Sequence, residues 1–476
     1  MSAARPAALD GGRGRVLRIA AALLALFCAI GIWRILATMG ARVPFDPNEG
    51  WNAYLSAAAM AGGPLYPDPR SFLFDNYPPL SFYIVGALGA LVGDNIVAGR
   101  MVSLLATLGA AAGIFTTLRR MQAGLAEASF AALLFVGGLL VFTDYVGMDD
   151  PQLLAHALAL AGLAILVKRP HAPRSLAGAA LLMTLAGFVK HNLIALPIAA
   201  AAWLAIQDRR DAARFAGLGI AFALTGLVLF RLTYGTGLLA MLNSPRLYSL
   251  RDAAGGVANW LPWGGIPALG LGALCVLRGR DKYVVLCAIY ALVAIAAGAV
   301  FSGGAGVDMN VWFDAAIALA MGAGLMLDRL AGKTWLTAAT AFVLVLPLGV
   351  GLGIAADGDW LTSGFWLHPQ AEEEAMAGAD ISFLKSHDGP ALCEMLSLCY
   401  WAGKRAQVDT FNLGQAFATR ARGDDALVHL VERKYFRSAQ FDSMSDFALG
   451  QRLRRAFEAN YRVDHTDDEG VFLLPR

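Results

Sequence analysis

The chain has 476 residues, of which 57% are hydrophobic and only 16% charged, and its mean hydropathy is +0.56. A soluble domain of this length is far more polar. The net charge of +2 is the balance of 38 basic and 36 acidic residues dealt out between apolar runs, which excludes a general nucleic-acid binder with one pooled basic patch.

The first apolar run, Val16 to Thr38, follows Arg5, Arg13, Arg15 and Arg18. It is too long for the core of a signal peptide, and no small-residue cleavage site follows it cleanly, so it reads as an uncleaved first span with a cytoplasmic N-terminus. Residues 40–99 then form a long irregular segment. Further spans are predicted near 100–118, 127–143, 151–167, 175–189, 192–206, 215–234, 262–277, 283–301, 311–327 and 335–354. With the first they make about eleven, on the criterion of roughly 20 apolar residues per crossing.

The loops alternate in kind. Arg119-Arg120 and residues 168–174, 208–214, 278–282 and 328–333 are basic, whereas 144–151, 234–263 and 302–310 carry acids, aromatics and turn residues. The positive-inside rule puts the first set in the cytoplasm and the second in the periplasm. Abundant Ala, Gly and Arg with few Lys points to a bacterium, and hence to its inner membrane. No run after Ala355 is long enough to span, so residues 355–476 are expected to form a small periplasmic α/β domain behind a transmembrane domain of residues 1–354. Cys393 and Cys399 in that tail form either a disulfide or two buried, hydrophobe-like thiols.

The segment after the first span reads Pro44-Phe-Asp-Pro-Asn-Glu-Gly-Trp-Asn-Ala-Tyr54, then Leu65-Tyr-Pro67, Asp75-Asn-Tyr-Pro-Pro-Leu80, Gly93-Asp94 and Gly99-Arg100. Carboxylates, aromatics and prolines gathered at a membrane surface are costly beside lipid unless folded against protein or used. Asp46-Pro47 with Glu49 is also a helix-start signature, with Asp46 as the cap and Glu49 able to reach back.

The order of Asn-Glu-Gly, Tyr54, Leu-Tyr-Pro, Tyr77-Pro-Pro-Leu, Gly-Asp and Gly-Arg resembles the first outer loop of the GT-C glycosyltransferases, and within them the protein O-mannosyltransferase and aminoarabinose-transferase branch. The likeness covers residues 16–330 in arrangement and a few outer loops in motif. It implies a GT-C-like, all-α polytopic fold, an active site of outer loops, and transfer of a monosaccharide from a polyprenyl-phosphate donor to a glycan, lipid or protein acceptor, with inversion. Where relatives carry Asp-Glu this chain has Asn48-Glu49, so the general base is either Glu49 or Asp46.

Asp149 and Asp150 end the second outer loop, where the family has an acid that in some members binds metal; adjacent carboxylates beside an anionic substrate make sense with a divalent cation, Mg or Mn, or a shared proton. Cations for a lipid phosphate are expected in Lys190 and Arg100, which match family positions, and in Arg246. Tyr54, Tyr77, His191 and Asn310 are expected at the substrate. His156 reads as a hydrogen-bonded intramembrane histidine, and Trp260 and Trp263 as interfacial anchors. A lipid-linked sugar flippase and a non-catalytic polysaccharide-assembly subunit are the rival readings; the clustering of acids on one side, with short basic loops on the other, favours the enzyme.

Overall fold

A computed structural model describes residues 11–68, 70–242, 244–330, 334–355 and 369–476. Arg5, Lys333 and residues 356–368, at the start of the expected C-terminal domain, lie outside them. The membrane part comprises α1 (Gly11–Thr38), α2 (Pro47–Met60), α3 (Leu80–Val92), α4 (Asn95–Arg120), α5 (Leu125–Phe142), α6 (Gln152–Lys168), α7 (Pro173–Val189), α8 (Ala195–Gln207), α9 (Arg209–Tyr234), α10 (Gly237–Leu242), α11 (Leu250–Arg278), α12 (Lys282–Phe301), α13 (Phe313–Arg329) and α14 (Thr334–Ala355).

Each of the eleven expected spans falls on one of these helices. Among the described residues eight helical stretches are long and apolar enough to cross a membrane, while α6, α7 and α8 are apolar but shorter. The chain is a multi-pass membrane protein. Neighbouring helices approach closely where side chains are small: a Cβ on Gly113 of α4 would lie 2.7 Å from Leu160 of α6, the packing that drives helix association in lipid.

Residues 40–99 depart from the irregular segment expected. Two of their stretches are helical. Asp46 caps α2, its Oδ1 accepting from the Asn48 N–H at 2.7 Å with Pro47 in the first turn, and α3 is a 13-residue apolar helix stopped by Gly93 at φ 89°. That φ favours glycine, which closes α3 before Asp94 caps α4.

The alternation of loops is realised in space. At one end Arg13 meets Glu127 at 2.8 Å and the Leu327 carbonyl at 2.7 Å, the Gly124 N–H donates to Asp328, and Arg329 meets Asp281 at 2.8 Å. These contacts gather the basic loops. At the other end lie α2, α3, the 143–151 and 190–194 loops, residues 244–249 and residues 302–312.

The C-terminal unit sits on that second end. It comprises α15 (Pro369–Ser386), β1 (Ala391–Cys393), α16 (Leu396–Trp401), α17 (Thr410–Ala418), α18 (Asp425–Glu432), β2 (Ser438–Phe441), α19 (Gln451–Asn460), β3 (Tyr461–Asp467) and β4 (Gly470–Pro475). The sheet order is β1-β2-β4-β3, with β1 parallel to β2 and the other pairs antiparallel. Leu392, Leu427, Phe436, Phe441, Phe457 and Leu473 belong to its own core. Cys393 and Cys399 are joined in a disulfide, the first of the two alternatives left open by the sequence.

This unit is bound to the outer segment at several points. Tyr54 Oη donates to the Lys404 carbonyl at 2.7 Å, Trp401 Nε1 to Asp94 Oδ2 at 2.9 Å, and the Asp409 N–H to the Phe72 carbonyl at 2.9 Å. Gly50 of α2 lies so close to α16 that a Cβ there would stand 2.1 Å from the Ser397 nitrogen.

Candidate active site

The buried floor of the site is an ion pair. Glu49, on the first turn of α2, and Arg100, on the second turn of α4, are both fully buried. Arg100 Nε donates to Glu49 Oε1 and its NH2 group to Glu49 Oε2, each at 2.7 Å. The remaining guanidinium donors reach the carbonyls of Met39, Ala41 and Val43. Glu49 also accepts from the Phe45 N–H at 3.1 Å and the Asp149 N–H at 3.2 Å. The carboxylate thus takes four hydrogen bonds, two of them from a guanidinium. A base needs a free lone pair aimed at substrate and a phosphate clamp needs free donors, and this pair has consumed both. Its geometry ties the chain after α1, the start of α2, the start of α4 and the second outer loop together.

Asp46 stands differently. It is only part-buried, one oxygen caps α2, and Oδ2 has no hydrogen bond among the described residues. Burial, outweighing the Asn48 N–H, and the charges of Asp150, Glu49 and Asp308 push its carboxyl up to about 6.

Lys190, at the end of α7, is buried with its Nζ 3.3 Å from Asp150 Oδ2 and 3.7 Å from the centre of the Tyr77 ring, and the Asp150 charge is in turn felt at Asp46. The structure therefore brings Lys190, Tyr77 and Asp150 together. The other oxygen of Asp150 accepts from the Gln152 N–H at 2.7 Å as a turn cap. His191 is exposed beside Lys190. Arg246 is half-exposed, holding the Ala305 carbonyl at 3.3 Å and Asn412 Oδ1 at 3.5 Å, and its charge is felt at Tyr77 and His191. Two such contacts use two of the five guanidinium donors.

Three expected residues lie elsewhere or act otherwise. Tyr54 is spent on the C-terminal unit, with its ring edge-on to Tyr400 at 5.3 Å. Trp260 and Trp263 are buried, stacked on Trp312 and Phe142, and are not surface anchors; α11 turns them inward against α5 and α13. Asn310 lies half-buried in the short helix Met309–Trp312 at the rim. His156 is an intramembrane histidine hydrogen-bonded to Gln152 at 3.0 Å.

Asp149 and Asp150 do not form a chelate. A lysine ammonium stands where a cation would neutralise Asp150, while Asp149 is packed on Gly99, where a Cβ would lie 1.9 Å from its carboxyl carbon. Burial, and then the Glu49 and Asp150 charges, raise the Asp149 carboxyl well above the carboxylate range, which favours the neutral acid.

Asn52, Ser56, Ser81 and Asp149 line a small cavity, each with one buried oxygen that has no hydrogen bond among the described residues. Asn52 Nδ2 donates to the Asp149 carbonyl at 2.6 Å, and Ser103 Oγ to the Asp150 carbonyl at 3.0 Å. These residues position the second outer loop and were missed from the sequence. The signal was there in Glu49, Asn52 and Ser56, polar residues at the spacing of one helix face.

Residues 76–232 match the family model described as dolichyl-phosphate-mannose-protein mannosyltransferase. No curated protein matches the chain. Among solved structures, ArnT from Cupriavidus metallidurans bound to undecaprenyl phosphate is similar at a TM-score of 0.64 and 14% identity, over 95% of this chain and 98% of that one. The Archaeoglobus fulgidus oligosaccharyltransferase tethered to an acceptor peptide is similar at 0.53 and 11%, over 95% of this chain and 72% of that one. The chain shares the fold of these proteins, and the family-model match takes in the Tyr77-Pro-Pro-Leu80 and Gly99-Arg100 motifs and the helices that follow them.

Proposed function

We propose that the chain is a glycosyltransferase of the GT-C kind that moves a monosaccharide from a polyprenyl-phosphate donor to an acceptor, at the membrane face on which the C-terminal unit sits. One observation carries the reading. The Lys190 ammonium lies 3.3 Å from Asp150 and 3.7 Å from the centre of the Tyr77 ring, the charge of Arg246 is felt at the same tyrosine, and the part-exposed carboxylate of Asp46 is within reach of the charge of Asp150, in a fold shared with ArnT bound to undecaprenyl phosphate.

The chemistry asks for little more. Asp46 accepts the proton of the acceptor hydroxyl, the oxygen attacks the anomeric carbon, and the bond from that carbon to the phosphate oxygen breaks with its electron pair going to the phosphate. The leaving group is an anion that needs no acid, and positive charge at Lys190 and Arg246 stabilises it as it develops. A single displacement inverts the anomeric centre. Glu49, consumed by Arg100, holds Asp46 and the 143–151 loop in place through the Phe45 and Asp149 N–H groups. No metal step is required. The disulfide supports an oxidising, periplasmic setting for this face, and the basic loops at the opposite end support a cytoplasmic one there.

Incubating the purified chain with a panel of polyprenyl-phosphate monosaccharides, and following release of polyprenyl phosphate, tests the reading. The expected result is release from one donor class, lowered about 10²–10⁴-fold by Asp46→Asn in folded protein. No release from any donor, together with movement of such a lipid across vesicles holding the protein, would replace transfer by lipid transport.

A further inference from the structure

A second polar centre lies in the C-terminal unit, on elements that do not line the cleft. Helix α15 buries Ala377, Asp380, Ile381 and Leu384, a single face at helical spacing. Asp380 is the one charged residue on that face. It is 1% exposed, and among the described residues its Oδ2 has no hydrogen-bond donor. A lone carboxylate on an apolar stripe is unfavourable unless something neutralises it.

What faces it comes from β3. His465 and Asp467 are two residues apart on the strand and so share a face. His465 Nε2 lies 3.2 Å from Asp380 Oδ1 and 3.8 Å from Asp467 Oδ2. Ligand atoms of Asp380, His465 and Asp467 all fall within 4.8 Å of one another, the one group of three such residues among those described.

The imidazole is oriented from behind. Nδ1 lies 3.1 Å from Asp464 Oδ2, at the bulge that shifts the β3–β4 register between Val463 and His465. The ring stacks on Phe472 at 4.4 Å and meets Phe383 edge-on at 4.9 Å. A carboxylate on one ring nitrogen, with the other nitrogen aimed at two further carboxylates, is the outer-shell arrangement of metal-binding histidines. Glu469, at the hairpin turn, adds a fourth acid, and its N–H donates to Asp467 Oδ1 at 3.0 Å. Four carboxylates around one imidazole exceed what a single imidazolium can balance.

We propose that Asp380, His465 through Nε2, and Asp467 bind one divalent transition-metal ion, zinc or manganese, which clamps α15 to the β3–β4 hairpin. One nitrogen and carboxylate oxygens suit those ions, whereas Mg and Ca prefer oxygen alone. His465 and Asp467 are part-exposed, which opens the site to the solvent side, and Asp380 is the anchor beneath.

The test uses the full chain in detergent, free of any affinity tag, stripped with EDTA and titrated with zinc, manganese, cobalt and magnesium. Wild-type protein is expected to retain a single zinc or manganese and to melt at a higher temperature with it, and bound cobalt to give a visible absorption band. Asp464→Asn, which touches only the back of the ring, should weaken binding by about 10–100-fold; His465→Gln and Asp467→Asn should weaken it at least as much. Should Asp380→Asn fail to fold, Asp467→Asn at the part-exposed turn still gives the answer. Zinc and manganese uptake absent from the wild type, or unchanged in His465→Gln and Asp467→Asn, overturns the site. Binding without any change in melting overturns the clamp.

Discussion

Replacing Glu49 by Gln is expected to unfold this protein before it silences it. The carboxylate is fully buried and takes four hydrogen bonds, two at 2.7 Å from Arg100 and two from the Phe45 and Asp149 N–H groups. Glutamine keeps the shape but removes the charge, and it turns one acceptor oxygen into an NH2 group that must face a donor. Arg100 then stays buried with no counter-charge, since its other partners are carbonyls. Breaking such a pair from one side costs about 3–5 kcal/mol, a large part of a total stability of roughly 5–15 kcal/mol. Chemical denaturation in micelles, with transfer assayed on the folded fraction alone, measures it. Removing Arg100 as well, in Glu49→Gln with Arg100→Met, should recover part of the loss, a coupling of about 1–3 kcal/mol in the double-mutant cycle. Wild-type stability in Glu49→Gln with all transfer gone would refute the reasoning and return the base to Glu49.

Asp46→Asn should behave in the opposite way, because asparagine caps a helix about as well as aspartate while the loss of a general base lowers the rate by about 10²–10⁴. With its carboxyl pushed up to about 6, kcat/KM should fall as the pH drops through that value, since the ionised form is the base; persistence of the same limb in the residual activity of Asp46→Asn removes Asp46 from the role. Arg246→Ala should leave melting unchanged, because the side chain is half-exposed on two long contacts, and should lower donor efficiency roughly tenfold or more, the worth of about 1.5–3 kcal/mol for a charge-assisted contact; unaltered donor kinetics refute it. Gly50→Ala drives a Cβ to within 2.1 Å of the Ser397 nitrogen, so it should loosen the C-terminal unit and speed its proteolysis by at least the effect of about 1–3 kcal/mol of overpacking; a wild-type digestion rate speaks against the docking described.

The membrane class, the approximate positions of the spans and the sorting of loops into two sets are determined by the sequence itself, because a hydrocarbon layer imposes length and apolarity on each crossing independently of its neighbours. The cap at Asp46 and the placing of Lys190 at the end that carries the acidic loops are legible for the same reason: they depend on adjacent residues. Helix α3 is not, since thirteen apolar residues satisfy neither a span nor an amphipathic pattern. Nor are the roles of the two acids in Asp46-Pro-Asn-Glu49. Three residues apart in sequence, they differ because α4 brings Arg100 under one, while the other is part-exposed and caps α2. The inward turn of Trp260 and Trp263, the use of Tyr54 as a strut and the meeting of Asp380 with His465 are likewise decided by which helix or strand packs opposite. A side chain's chemistry is local, but whether its lone pairs and donors are free is settled by partners far away in the chain, and only the tertiary structure names them.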